Sequence, residues 1–162
     1  MYLQTDLTKT LAHIPWFAGL SQKQLDNLAN LARLHEIDAG EVLFNEGDRD
    51  NYMYVLLEGQ VELEVEVPTR GQVHLYTADV LDIIGWSSVT PIVRQRTATA
   101  RANQPSMLLG FNSKLLEQLC EEDTEIGFII MRRVANVAAN RLLTTRLCLY
   151  DMVANPAEQQ AN

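Results

Sequence analysis

Residues 61 to 67 read VELEVEV. Val61, Leu63, Val65 and Val67 alternate with Glu62, Glu64 and Glu66. Successive side chains of a strand point to opposite faces, so this segment predicts a half-buried strand with its carboxylates in water. Such a row of acids is a solvated face that protects a sheet edge, rather than a cation site. A period near two runs from Arg33 to Phe111, punctuated by Gly40, Gly47, Gly59, Gly71 and Gly85. Val42-Leu43-Phe44 and Tyr52 to Leu57 read as further strands. Pro68-Thr69-Arg70-Gly71 turns the chain into Gln72 to Thr77 and predicts a hairpin. Many short strands at near-regular spacing predict a sandwich, barrel or jelly roll.

The period lengthens to 3.6 on both sides of this block. Leu25, Leu28, Ala29 and Ala32 form one helical stripe. Ser21 is a candidate N-cap, Gln24 completes a capping box, and Leu20 and Leu25 are spaced for a hydrophobic staple. Residues 7 to 20 are mixed, with an apolar knot at Ile14-Pro15-Trp16-Phe17. Ser113 to Glu121 predicts a short helix capped by Asn112. A long helix follows, from about Thr124 to Met152, roughly 43 Å at ~1.5 Å per residue. Its early half is amphipathic through Ile126, Ile129, Ile130, Val134 and Val137. Its late half, Leu142 to Tyr150, is apolar nearly all round, which calls for burial of a second face by another chain. Residues 153–162 carry no long apolar run and read as a disordered tail.

The candidate chemistry lies in VLDIIGWSSVTPIVRQRTATARA, residues 80–102. Gly85 lets a backbone approach a ligand closely. The amides of Trp86, Ser87 and Ser88 open one turn of helix, a setting that suits an anion. Arg96, Ala98 and Ala100 share one face of the next strand, and Thr97, Thr99 and Arg101 share the other. An inward arginine beside small alanines needs an anionic partner. Ser87 and Ser88 either donate to that anion or cap the turn. Arg141 and Thr145 lie four apart and share a face of the long helix.

This stretch resembles the phosphate-binding cassette of cyclic nucleotide-binding domains, as in the sensor domains of catabolite activator protein and its Crp/Fnr relatives. Gly85 matches the cassette glycine, Arg96 its phosphate-binding arginine, and Thr97-Ala98-Thr99 the residues that follow. AGEVLFNEGD and YVLLEGQVEL resemble the family's β-roll in wording and separation. The resemblance covers about residues 10–152 and implies a mainly β fold with flanking helices. Its core is a double-stranded β-helix, a jelly-roll-like β-roll, over 33–111. An N-terminal helical cap lies at 7–32 and C-terminal helices at 112–152, in one domain. It implies a sensor module for an anionic small molecule, by family default cAMP or cGMP, with no other cofactor. Thr145, and with it Arg141, would reach the base. The late C-helix would pair in a homodimer, and an effector protein would read the state. The alternative is a degenerate, ligand-free module for dimerisation or docking. One position departs from the pattern. The family glutamate that accepts from the ribose hydroxyl is Trp86 here. As a ligand group Trp86 would stack on a base; as a structural group it would fill the ribose space.

Composition changes little in this picture. The 162 residues are 47% hydrophobic and 21% charged, with a net charge of −8. An acidic chain is ill suited to phosphate backbones or anionic membranes. Ten residues follow Met152, and the helix-turn-helix of the DNA-binding relatives is not expected among them. Cys120 and Cys148 form no C-x-x-C pair, so neither a zinc site nor a disulfide is expected, and a reducing, cytoplasmic setting is. No signal peptide or spanning segment is read. His13, His35 and His74 are scattered, unlike the H-x-H of metal-binding β-rolls, and no nucleophile elbow or P-loop appears. The sequence predicts neither a metal site nor an enzyme.

Overall fold

The computed structural model describes residues 4–49, 51–68, 70–90, 92–93 and 95–155. Most of the tail expected at 153–162 lies outside these residues, as do Thr69 of the expected hairpin turn and Pro91 of the expected loop.

Two helices open the chain. Helix α1 spans Gln4–His13 and α2 spans Gln22–Leu31. Leu7 and Leu11 of α1, with Ile14 just past its end, are buried at i, i+4, i+7 spacing. This helix lies where the sequence reads only as mixed, because polar residues occupy the rest of its surface. Ser21 caps α2 through a capping box with Gln24, as its spacing predicts. Leu20 and Leu25 lie in one apolar cluster.

Eight strands follow: β1 Ala32–Ile37, β2 Val42–Phe44, β3 Tyr52–Glu58, β4 Val61–Val67, β5 Gly71–Ala78, β6 Ile83–Ile84, β7 Thr99–Ala102 and β8 Ser106–Asn112. They form two antiparallel sheets of four, ordered β1-β8-β3-β6 and β2-β7-β4-β5. The first sheet is covered on both faces. Met53, Val55, Leu109 and Phe111 meet the helices, while Tyr54, Leu56 and Leu108 meet the second sheet. Burial on both faces explains why β3 reads as a continuous apolar run rather than an alternation.

In β4, Val61 and Leu63 are buried, Glu66 is exposed, and the other four residues are half-buried. Glu64 lies 3.7 Å from Arg101 Nε on β7, so part of the acidic face is paired across the sheet.

Helix α3, Ser113–Glu122, starts at Asn112, whose side chain accepts from the Leu115 amide. Helix α4 runs Thr124–Ala154, 31 residues or about 46 Å, two residues past its expected end. Asp123 caps it by accepting from the Glu125 and Ile126 amides. Gln24 on α2 donates to Asp123 and Glu125, tying the N-terminal cap to the start of α4. Ile126, Ile130, Val134 and Val137 bury the first half of α4. No described residue of α4 after Val137 is fully buried. The helix there leaves the core and runs past the second sheet, where Arg70 Nη2 donates to the Met152 and Asn155 carbonyls. Among the described residues no helix is long and apolar enough to cross a membrane.

Candidate ligand site

Strand β6 ends at Ile84, and Gly85 turns the chain with φ 74° and ψ 28°. That left-handed conformation favours glycine. A single 3-10 turn, Trp86–Val89, follows. The Gly85 carbonyl accepts from three donors: Arg96 Nη1 at 2.7 Å, the Ser88 hydroxyl at 2.9 Å and the Ser88 amide at 3.1 Å. The Ser88 side chain thus serves the turn itself.

Arg96 is 2% exposed. Its Nη2 donates to the Tyr52 carbonyl at 2.6 Å, and its guanidinium carbon lies 4.1 Å from the centroid of Phe44. Its own amide and carbonyl bond to Asp48 and Gly47. Backbone carbonyls and a ring face are effective partners for a buried cation. The alternation read from the sequence holds, since Arg96, Ala98 and Ala100 are buried and Thr97 is exposed. One expectation changes. Regular strand begins at Thr99 rather than Arg96. The guanidinium does not point into the space beside Ala98, which lines a neighbouring cavity, but packs over Phe44 and reaches two main-chain oxygens.

A cavity of about 420 Å³ opens beside this knot, between the second sheet and α4. Leu63 and Val65 of β4 and Leu75 and Tyr76 of β5 form one wall. Trp86, Thr97 and Ala98 form its cassette side. Ala138, Arg141, Leu142, Thr144, Thr145, Leu149 and Met152 close it from the helix. Arg141 lies over Tyr76, with its guanidinium carbon 3.2 Å from the ring centroid. The Tyr76 hydroxyl donates to Asp82 Oδ2 at 2.7 Å. Burial, reinforced by that hydrogen bond, holds the phenol above its ordinary pKa, while Arg141 works in the opposite direction. The Thr144 hydroxyl donates back to the Asn140 carbonyl at 2.7 Å.

Of the eight residues singled out in the sequence, Trp86, Thr97, Arg141 and Thr145 line the cavity. Gly85, Ser87, Ser88 and Arg96 do not, and they form the turn behind it. Sequence reasoning missed Tyr76 and the apolar lining. Two signals point to them. Tyr76 stands directly across from inward-facing Leu63. Ala138, Leu142, Thr145, Leu149 and Met152 recur at alternating spacings of four and three, one helical stripe.

A model of the cyclic nucleotide-binding domain matches residues 34–123, more than half of the chain. The chain belongs to the cyclic nucleotide-binding domain family. A putative cyclic nucleotide-binding protein from Geobacter metallireducens has a similar structure, with TM-score 0.72 at 27% identity over 83% of this chain and 97% of that one. A cyclic nucleotide-binding domain from Methylobacillus flagellatus superposes with TM-score 0.73 over 98% of this chain and 86% of that one. At 18% identity the likeness is one of fold. Among curated proteins, a putative potassium channel protein of Rhodopseudomonas palustris is 28% identical over 118 residues, 72% of this chain. The chain spans 28% of that relative's length. Domains of this cyclic nucleotide-binding family are regulatory rather than catalytic, and the β-roll with its helical cap and long C-terminal helix is their fold.

Proposed function

We propose that this chain is a single-domain, cytoplasmic sensor module that takes an anionic small molecule in the cavity between the β-roll and α4. The observation that carries the reading is the convergence of Trp86 and Thr97 from the cassette with Arg141 and Thr145 from the helix. A ligand touching both bodies binds one position of α4 better than others and so shifts its population. By the family pattern, a cyclic nucleotide would rest its phosphate on the turn after Gly85 and on Arg96, once that arginine exchanged a carbonyl for the ligand.

Helix α4 would pass the signal to a second copy. Phe128, Ala135, Leu142 and Leu149 recur every seven residues, with Met131, Ala138, Thr145 and Met152 three further on. That is the a/d pattern of a paired helix. Phe128 is 65%, Leu142 64% and Leu149 51% exposed. Several seam residues also line the cavity, so a partner helix would cover its mouth and sense its occupancy. An effector protein would read the resulting state.

The competing reading is a ligand-free dimerisation or docking module. What favours it is Arg96, whose two terminal nitrogens already meet the Gly85 and Tyr52 carbonyls. Calorimetric titration with cAMP and cGMP separates the two. Trp86 cannot accept the ribose hydroxyl bond that a carboxylate takes. Loss of such a bond costs about 1.5–3 kcal/mol, roughly one to two decades of affinity. Weak cAMP binding that tightens in Trp86→Glu is the expected result. Submicromolar binding to the unmutated protein, unchanged by Trp86→Glu, would contradict this account of Trp86.

A further inference from the structure

The cavity and the cassette turn are chemically different places. Its walls are hydrocarbon or aromatic from three sides: Leu63 and Leu75 on the sheet, Leu142 and Leu149 on the helix, Tyr76 and Trp86 between them. A ribose phosphate would set most of its hydroxyls against leucines, with few polar groups to meet them. The cassette arginine does not line this space, and its terminal nitrogens hold main-chain oxygens.

One cation does line it. Arg141 sits over Tyr76, its guanidinium carbon 3.2 Å from the ring centroid, and a guanidinium packed on a ring still has N–H donors to offer. Its Nε is shielded from solvent and has no hydrogen-bond partner. Among the described residues it forms no ion pair with a carboxylate. Thr145 stands one helical turn further along the same wall. An apolar chamber with one oriented, incompletely partnered guanidinium matches a ligand with a hydrocarbon body and a single carboxylate.

Resting on the reading that this cavity is the sensor's ligand site, we propose that its ligand is an apolar organic monocarboxylate. The carboxylate sits on the edge of Arg141, within reach of the Thr145 hydroxyl. The hydrocarbon body lies against Trp86, Leu63 and Leu149. Arg96 stays with the Gly85 and Tyr52 carbonyls and holds the turn without meeting the ligand.

Titration calorimetry of the full chain with 4-phenylbutyrate, 4-phenylbutyramide and cAMP tests this. The acid is expected to bind with a Kd below about 1 mM, the amide about tenfold weaker or more, and cAMP more weakly than the acid. Arg141→Met should erase the preference for acid over amide, and Arg141→Lys should keep part of it. Ala138→Leu, which fills the chamber from the helix, should block the acid and serves where Arg141→Met folds poorly. If cAMP binds better than the acid and Ala138→Leu blocks it, the site stands and the ligand class proposed here falls. If neither acid nor cAMP binds, or binding ignores Ala138→Leu, the cavity itself is not the ligand site and both readings fall.

Discussion

A methyl group on Gly85 would lie 2.3 Å from Nη1 of Arg96. The glycine is therefore fixed twice, by its left-handed backbone and by the guanidinium packed on its open side. Arg96 in turn spans two elements, from the Gly85 carbonyl at the end of β6 to the Tyr52 carbonyl at the start of β3. The cassette turn is held in place from within the protein.

Gly85→Ala should lower stability by about 1–3 kcal/mol, from backbone strain and displacement of the arginine. Arg96→Met leaves the Tyr52 carbonyl without its charged donor, while the Gly85 carbonyl keeps the two Ser88 bonds. A cost of about 1–3 kcal/mol is expected. Because the first change already dislodges Arg96, the double variant should cost less than the sum, by about 0.5 kcal/mol or more. Urea midpoints at unchanged m give all three values. Simple additivity would mean that the two residues do not act as one unit.

Leu149→Asp should leave the β-roll folded and abolish self-association, because it places a charge in the heptad seam of α4. Leu147→Asp, on a different side of the same exposed segment, should weaken association less. Light scattering at micromolar concentration reads the mass. A monomeric unmutated protein would remove the proposed route from cavity to partner.

Cys120 should be a slow thiol. Burial first, then the nearby Glu117, Asp123 and Glu121 carboxylates, push its pKa from 9.0 up to about 11. At pH 8 the thiolate fraction falls to about one in a thousand, roughly a hundredfold below an ordinary cysteine of this reference value. The raised value also has a stability consequence with a defined sign. The folded state holds the proton more tightly, so its contribution is intact below pH 9 and is lost as pH rises toward about 11. In a Cys148→Ser variant, an aromatic disulfide reagent should label the native protein far more slowly than the urea-unfolded chain at pH 8. Equal rates would contradict the burial.

What the sequence made legible was local. Ser21 with Gln24, and Asn112 before Ser113, mark helix starts through bonds between residues three apart. The alternation from Arg96 to Ala100 marks inner and outer faces, and in β4 it does so at Val61 and Leu63, beyond which a register shift leaves Glu64 and Val65 both half-buried. Helix α1 was hidden because Leu7, Leu11 and Ile14 form a narrow stripe on an otherwise polar segment. The destination of the Arg96 donors was hidden for a different reason. Tyr52 lies on another strand, and an inward arginine beside alanines says that a partner is needed without saying which. Arg141 on Tyr76 is a contact of the same kind, made only when α4 lies across β5.

Trp86 lines the cavity and can report on a small molecule that enters it. The chain has two tryptophans, and Trp16 stacks on Phe17 in the helical cap. A Trp16→Phe variant leaves Trp86 as the single emitter. Its fluorescence should change saturably as cAMP, cGMP or 4-phenylbutyrate is added, and Ala138→Leu should suppress the change. A flat signal with all three at concentrations up to about 1 mM, in a protein that is otherwise folded, would contradict the account.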